Sequence, residues 1–194
     1  MSAVLKLPDG PFTTAEAAIR GVPGSTLRRM AARGEVERLS HGLYAVADDA
    51  DYDVDLLAAT VRTPDATICL TSALARHGLV DAIPARVDLA LPRGQWHPVG
   101  QVALRWHAFD ARTFEVGRET IAIAGSGRRI GLYSAERALV DAFRLRSSIG
   151  YEVAVEALQG WLRRRGSSPA ELVAVAALIP RAEGPIRQAL SFLA

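Results

Sequence analysis

The chain has little of the chemistry that cross-links proteins or binds metals. Cys69 is the only cysteine among its 194 residues, so an intrachain disulfide and a cysteine-based zinc site are both excluded. It lies in an apolar run and is interpreted as a small buried hydrophobic residue, with a reactive thiol as the alternative. His41, His77, His97 and His107 share no metal-ligand spacing. We therefore expect neither a bound metal nor a cofactor.

Long apolar runs are also missing. No segment approaches the roughly 18 residues that a membrane-spanning helix requires, and residues 1–7 are too short for the apolar core of a secretory signal. The composition, 49% hydrophobic and 23% charged, is that of a soluble globular protein. These features predict a cytoplasmic protein with no membrane partner.

The pattern in residues 12–46 is typical of a winged helix-turn-helix. Thr13 or Thr14 can cap a first short helix, and the turn at 21–24, which contains glycine and proline, forbids its continuation. Ser25 can then cap a second short helix. The alternative is a small helical cap with a solvated basic face.

The second helix has one apolar side and one basic side. It stops at Gly34, and Leu27, Met30 and Ala31 follow the i, i+3, i+4 spacing that faces a core. An arginine-bearing outer face suits the major groove of DNA. The residues left facing outward are Thr26, Arg28, Arg29 and Arg33.

The wing is predicted as a hairpin that follows this helix. Apolar residues in 36–39 and 43–46 favour two strands, and the segment 40–42 between them ends in Gly42. Glycine can adopt the positive φ that a three-residue hairpin loop needs. The helix-turn-helix and this hairpin together indicate a DNA-binding domain in residues 1–47.

The excess of positive charge lies in this N-terminal segment. The formal net charge is +2, and residues 1–47 carry six Lys and Arg against four Asp and Glu, whereas the remainder carries seventeen of each. Such a modest bias fits a protein that reads one DNA site better than one that coats phosphates.

An acidic linker is predicted at residues 48–55, where five carboxylates occur within eight residues. Carboxylates at the start of a helix are favoured by the macrodipole, and an apolar helix follows at 56–62. A divalent-metal site is the alternative, although no glycine-centred loop supports it. A separate C-terminal domain is therefore predicted for residues 56–194.

Strands come first and helices last in that C-terminal domain. This order favours an α+β fold, with an antiparallel or mixed sheet and a C-terminal helical bundle, over alternating βαβ units. Strands are predicted at 67–70, 87–91, 102–109, 120–124 and 129–133, and helices at 72–76, 135–146, 151–164, 169–178 and 185–193.

Some residues in the C-terminal domain suggest chemistry but have simpler interpretations. Ser72 and His77 are five positions apart, which separates them around a helix, so we interpret them as a helix-start and a helix-end residue and not as part of a hydrolase triad. Arg137 and Asp141 have the i, i+4 spacing of a structural ion pair, with a partner contact as the alternative. The sequence therefore does not predict an enzyme.

With these elements in order, the chain resembles the AbiEi family of antitoxins from bacterial AbiE-type, type IV toxin–antitoxin and phage-resistance systems. None of the matching motifs is a catalytic signature, so the order and spacing of the motifs carry the resemblance. The matching segments are TAEAA at 14–18, STLRR at 25–29, GLY at 42–44, TSALARHGL at 71–79 and YSAERALVD at 133–141.

The resemblance implies an autorepressor that binds inverted repeats in its own promoter, while its C-terminal domain neutralises a nucleotidyltransferase-like toxin. By position, Ser25, Thr26, Arg28 and Arg29 would approach base edges and phosphates. Arg33 and His41 would be secondary contacts to the DNA backbone. Either Arg28 or Arg29 would read guanine, because a guanidinium donates two hydrogen bonds to O6 and N7.

Two further expectations concern the C-terminal domain. The run Arg163, Arg164 and Arg165 ends a predicted helix and is a possible contact to the toxin or to phosphate. The competing function is a winged-helix transcriptional regulator whose C-terminal domain senses a small ligand. The nature of the neighbouring reading frame would separate the two functions.

Overall fold

A computed structural model describes residues 6–47, 52–98 and 102–193 and divides the chain into two compact units. The first unit comprises residues 1–64 and 122–130, and the second comprises residues 65–121 and 131–194. The predicted linker falls partly on residues 48–51, which lie outside the described residues. The sequence prediction assigned 56–64 and 122–130 to the C-terminal domain, whereas both segments pack within the first unit.

The first unit contains the predicted helix-turn-helix and wing. Its three-stranded sheet has the order β1-β3-β2, with antiparallel neighbours. A further helix, α3, follows the wing and begins behind Asp53, whose Oδ1 accepts a hydrogen bond from Leu56 N at 3.1 Å. The elements are β1 Phe12–Thr13, α1 Thr14–Ile19, α2 Gly24–Ala32, β2 Val36–Ser40, β3 Leu43–Val46 and α3 Val54–Arg62.

The start of α1 follows the sequence prediction. Thr13 Oγ1 accepts a hydrogen bond from Glu16 N at 3.2 Å, and Glu16 Oε2 accepts one from Thr13 N at 2.6 Å, which forms a capping box. The prediction for α2 was wrong in one respect, because Pro23 and not Ser25 is the residue that precedes the helix. The fixed φ of Pro23, −70°, sets the helix start before Ser25 is reached.

The apolar side of α2 lies in the core of the first unit, as its spacing predicted. Leu27 and Met30 are buried, and Ala31 packs against the same cluster. Burying these side chains orients the helix and leaves its polar face in solvent. The buried cluster consists of Leu7, Phe12, Ala17, Val22, Leu27, Met30, Val36 and Tyr44.

The second sheet is mixed. Its strand order is β6-β5-β4-β8-β7, with β4 antiparallel to β5, β4 parallel to β8, and β5 parallel to β6. The tip of the β7–β8 hairpin, residues 122–130, is the segment that belongs to the first unit. The strands are β4 Thr67–Ile68, β5 Val87–Pro92, β6 Leu104–Phe109, β7 Arg118–Ala122 and β8 Arg129–Tyr133.

Helices of the second unit are arranged around α5, which packs against α4, α7, α8 and α9. Among the described residues, no helix is both long and apolar enough to cross a membrane. Together with the two sheets, these helices confirm the predicted α+β fold, with the helices concentrated in the C-terminal part of the chain. The helices are α4 Leu70–Arg76, α5 Ala135–Arg144, α6 Arg146–Ile149, α7 Tyr151–Leu162, α8 Pro169–Leu178 and α9 Glu183–Leu193.

Most predicted elements of this unit have slightly different bounds in the structure, and two of these differences have a clear local cause. The strand predicted at 67–70 ends at Ile68, because Leu70 adopts a positive φ of 46° and begins α4. The helix predicted at 135–146 ends at Arg144, and Leu145 separates α5 from α6. In both cases a single residue leaves the regular backbone conformation at the boundary.

Candidate nucleic-acid interface

The outer face of α2 presents the basic residues that the sequence assigned to it. Ser25, Arg28 and Arg29 are exposed, and Thr26 is half-buried. Arg28 Nε donates a long hydrogen bond of 3.4 Å to the carbonyl of Gly24. Within the described part of the chain, no carboxylate forms an ion pair with Arg28 or Arg29. Both guanidinium groups are therefore available to an anionic partner.

The N-terminal end of α2 adds hydrogen-bond donors to this face. No side chain caps the helix, and the Pro23 carbonyl accepts from Thr26 N and Leu27 N. The first N–H groups of an uncapped helix point outward with a partial positive charge, which suits a phosphate oxygen. The hydroxyl of Ser25, in the same turn, can donate to the same group.

Arg33 lies at the other end of α2, where it is the C-cap residue. Its guanidinium Nη1 is 3.8 Å from Glu35 Oε1, and 65% of its side chain is exposed. An exposed pair of this length contributes little to stability and is screened by salt. Arg33 can therefore exchange Glu35 for a DNA phosphate at low cost.

The wing carries one predicted contact residue and one that the sequence analysis missed. His41 is exposed at the turn between β2 and β3, where Gly42 has a φ of +77°. The predicted three-residue loop was wrong, because Ser40 still pairs with Leu43 and leaves a two-residue turn. Arg38, exposed on β2, places Nη2 3.4 Å from His41 Nδ1.

Arg38 was missed because the strand does not alternate regularly. Glu37 and Arg38 are both exposed although they are neighbours, and the register shifts between Arg38 and Ser40. The available signal was charge, since Arg38 is one of only six cations in residues 1–47. The wing thus has a cation and an imidazole next to each other at its tip.

A second polar network holds residues 122–130 within the first unit. Arg128 Nη2 lies 2.6 Å from Glu16 Oε2 and 3.5 Å from the Pro11 carbonyl. Partial burial opposes ionisation of Glu16, but hydrogen bonds from Thr13 and the charge of Arg128 outweigh it, so the pKa of the Glu16 carboxyl is lowered. The carboxylate that caps α1 therefore also holds the hairpin tip.

The candidate catalytic residues of the second unit do not converge. Ser72 Oγ accepts a hydrogen bond from Asp88 N at 2.8 Å, and the Nε2 of His77 lies 2.8 Å from the carbonyl of Tyr133. Because a carbonyl only accepts, that nitrogen carries the hydrogen. Cys69 is buried, and burial raises the pKa of its thiol well above the usual value. Its interpretation as a small buried residue is confirmed.

Arg137 and Asp141 form a buried ion pair in α5. Arg137 Nε lies 2.7 Å from Asp141 Oδ2, and both side chains are almost completely buried. A second nitrogen is also used, since Arg137 Nη1 donates to the carbonyls of Thr113 and Val116 at 2.7 Å each. This burial supports the structural role and leaves the pair no outer surface for contact with a protein partner.

The three arginines at the end of α7 are exposed. Arg163 is its C-cap residue, and Arg164 donates a hydrogen bond from Nη2 to the carbonyl of His77. Arg164 is therefore partly occupied within the unit. Arg163 and Arg165 have no ion-pair partner among the described residues.

Comparison with known proteins supports the N-terminal assignment most strongly. Residues 7–47 match a family described as "Transcriptional regulator, AbiEi antitoxin". The fold is similar to the crystal structure of the RV2827C protein from Mycobacterium tuberculosis, with a TM-score of 0.52 and 15% sequence identity over 97% of this chain and 78% of that chain. No curated protein matches the chain. Residues 7–47, which contain the winged helix-turn-helix, are thus similar to this family of regulators.

Proposed function

We propose that the chain is a DNA-binding antitoxin that represses its own promoter. The observation that carries this proposal is the face of α2, where Arg28 and Arg29 are exposed opposite a buried apolar stripe. An amphipathic second helix of this kind fits the major groove, and the AbiEi match supports a regulatory role. Inverted repeats in the promoter would be read by two copies of α2.

Contacts on α2 are expected to divide between bases and phosphates. Arg28 or Arg29 would donate two hydrogen bonds to guanine, which distinguishes it from the other bases in the major groove. Ser25, Thr26 and the uncapped N–H groups of α2 would bind phosphates and set the position of the helix. Arg33 would add a phosphate contact at the C-terminal end.

The wing would bind the backbone beside the groove that α2 enters. Arg38 and His41 are exposed together at its tip, within 3.4 Å of each other. A guanidinium there can reach a phosphate, and the imidazole of His41 can donate a hydrogen bond to a phosphate oxygen. These two side chains extend the interface beyond α2.

The test is binding of the full chain to DNA from its own promoter, measured by fluorescence anisotropy. Arg28→Ala and Arg29→Ala should each weaken binding, and loss of a bidentate guanine contact should cost roughly 1–3 kcal/mol. Arg62→Ala is the matched control, because it removes one exposed cation from α3 in the same unit. Unchanged binding by both α2 variants would move the interface to another surface.

The second unit would neutralise a nucleotidyltransferase-like toxin encoded beside this chain. The support is the family resemblance in residues 71–79 and 133–141, which contribute α4 and α5. The toxin would carry the chemistry, because no nucleophile and base converge in the described part of this chain. Co-expression of this chain should restore the growth of cells that the toxin from the neighbouring reading frame inhibits. A failure to restore growth would contradict toxin neutralisation.

One observation favours the alternative, a winged-helix regulator whose second unit senses a small ligand. A cavity of about 320 Å³ lies within that unit and is lined by several arginines. A neighbouring frame without a nucleotidyltransferase would favour this alternative. The two functions share the same DNA-binding face.

A further inference from the structure

The cavity of about 320 Å³ lies at one edge of the second sheet. Strands β5 and β6 are parallel and in register, so their carboxyl ends, Pro92 and Phe109, are neighbours. Arg93 follows the first strand, and the 3₁₀ turn Ala111–Thr113 follows the second. The carboxyl ends of parallel strands are a common place for ligands, because chain segments diverge there and leave a crevice.

Positive charge predominates on the cavity wall. Five arginines line it, and Asp110 is the only carboxylate among the described lining residues. Asp110 is already bound, since Arg112 Nη2 lies 2.9 Å from its Oδ2 and Arg112 Nε lies 3.3 Å from its Oδ1. The five arginines are Arg93, Arg112, Arg137, Arg144 and Arg181.

The inner two arginines are held rigidly. The guanidinium carbon of Arg137 lies 4.3 Å from the ring centroid of Tyr133, and that of Arg144 lies 5.4 Å from the ring centroid of Phe109. Asp141 accepts hydrogen bonds from both arginines. Stacking and shared hydrogen bonds fix these cations before any ligand binds, which lowers the entropy cost of binding.

The outer two arginines have no carboxylate in direct contact among the described residues. Arg93 and Arg181 are exposed, and neither forms an ion pair with any carboxylate in residues 6–47, 52–98 or 102–193. Arg181, in the loop between α8 and α9, has a φ of +65°, a conformation that favours glycine. Backbone strain of this kind persists mainly where a side chain must occupy a particular position.

We propose that this cavity binds a phosphate dianion, either free or carried by a small molecule. Guanidinium groups approach it from the end of β5, from α5 and from the α8–α9 loop, so three sides supply donors. A phosphate has three terminal oxygens that accept charge-assisted hydrogen bonds in different directions, whereas a carboxylate has two in one plane. The remaining wall, with Phe109, Ile179 and Pro180, can contact an organic group.

The test is isothermal titration calorimetry of the full chain at low ionic strength. The titrants are inorganic phosphate, ribose 5-phosphate, malonate and ribose. We expect one equivalent of a phosphate compound to bind, with malonate weaker and ribose silent. Tighter binding of ribose 5-phosphate than of inorganic phosphate would identify an esterified ligand, and the reverse order a free one. Binding of neither, or equal binding of malonate, would overturn the proposal.

Variants locate the site. Arg93→Gln and Arg181→Gly should each weaken phosphate binding by at least about tenfold, because each removes a charge-assisted hydrogen bond. Because glycine adopts the positive φ of residue 181 without strain, Arg181→Gly should not impair folding. Arg86→Gln is the control, since it removes one exposed cation outside the cavity lining. Equal affinity in all three variants would refute the location.

This inference does not depend on DNA binding or on a toxin, because the titration contains neither. A chain that binds phosphate but not its promoter would retain the cavity site and lose the proposed function. A chain that binds its promoter but no phosphate would retain the proposed function and lose the cavity site.

Discussion

Glu16 has two structural roles in the first unit. Its carboxylate accepts a hydrogen bond from Thr13 N and also binds Arg128, so it caps α1 and holds the tip of the β7–β8 hairpin. The lowered pKa of Glu16 means that the folded unit prefers the ionised carboxylate. Its contribution to stability is present above the unfolded pKa and is lost as pH falls through the folded value.

We expect Glu16→Gln to destabilise the first unit near neutral pH and to have a smaller effect in acid. The difference from the parent should shrink as pH falls below about 4.5, the ordinary pKa of a glutamate. Hydrogen exchange of the α1 amides measures this, because it reports local opening of the first unit. Glu37→Gln, on the exposed side of β2, is the control. A difference that grows in acid would contradict the assigned roles.

Gly117 lies directly against Arg137, which belongs to the buried ion pair of α5. Its φ is +66°, and an added Cβ would lie 2.7 Å from the Cβ of Arg137. Gly117→Ala should therefore destabilise the second unit by roughly 2–5 kcal/mol, from backbone strain and from the clash together. Tryptophan fluorescence during urea unfolding reports this unit alone, because all three tryptophans lie in it.

Gly166→Ala separates the two causes of that loss. Gly166 has a φ of +91°, and no heavy atom lies within 4 Å of the position its Cβ would take. The loss of unfolding free energy in this variant should come from backbone strain alone, without the clash. Equal losses in the two variants would mean that Arg137 moves away freely and is not held rigidly.

At the scale of elements, the sequence predicted those helices and strands whose boundaries are set by neighbouring residues. A threonine cap at Thr13 or Thr14 predicted α1, and the helix predicted at 169–178 has the observed bounds of α8. Strand β8 also has its predicted bounds. These elements carry their boundary signals within a few residues, so the sequence alone was sufficient.

Elements whose shape depends on distant contacts were predicted less well. Leu70 turns the chain out of β4 through a positive φ that its residue type does not suggest. Likewise, Arg38 is exposed beside Glu37, which departs from the alternation expected along a strand. The arginine cavity was not foreseen either, because its lining extends from Arg93 to Arg181 and only the fold brings these residues together.

At the scale of the whole molecule, the proposed binding of a toxin by the second unit needs a contact surface. We expect that surface to include the exposed arginines at the end of α7. Arg163 and Arg165 are exposed and without an ion-pair partner among the described residues. We expect the double variant Arg163→Gln/Arg165→Gln to reduce growth rescue when it is co-expressed with the neighbouring frame. Because both substitutions remove only exposed charge, promoter binding should remain unchanged.

The matched control is the double variant Arg62→Gln/Arg86→Gln, which removes two exposed cations elsewhere. If both double variants rescue growth as well as the parent, the toxin contacts another surface. If only the control fails, the contact lies away from α7. Antitoxin concentration must be equal in all strains, and quantitative immunoblotting checks this.

The first unit is discontinuous in sequence, since residues 122–130 complete what residues 1–64 begin. The ribosome releases the chain from its N-terminus, so the bond from Arg128 to Glu16 cannot form until well over half of the protein has been synthesised. The first unit therefore stays incomplete until residues 122–130 have been synthesised. We expect arrested nascent chains that end before residue 122 to bind promoter DNA more weakly than chains in which residue 130 has left the exit tunnel.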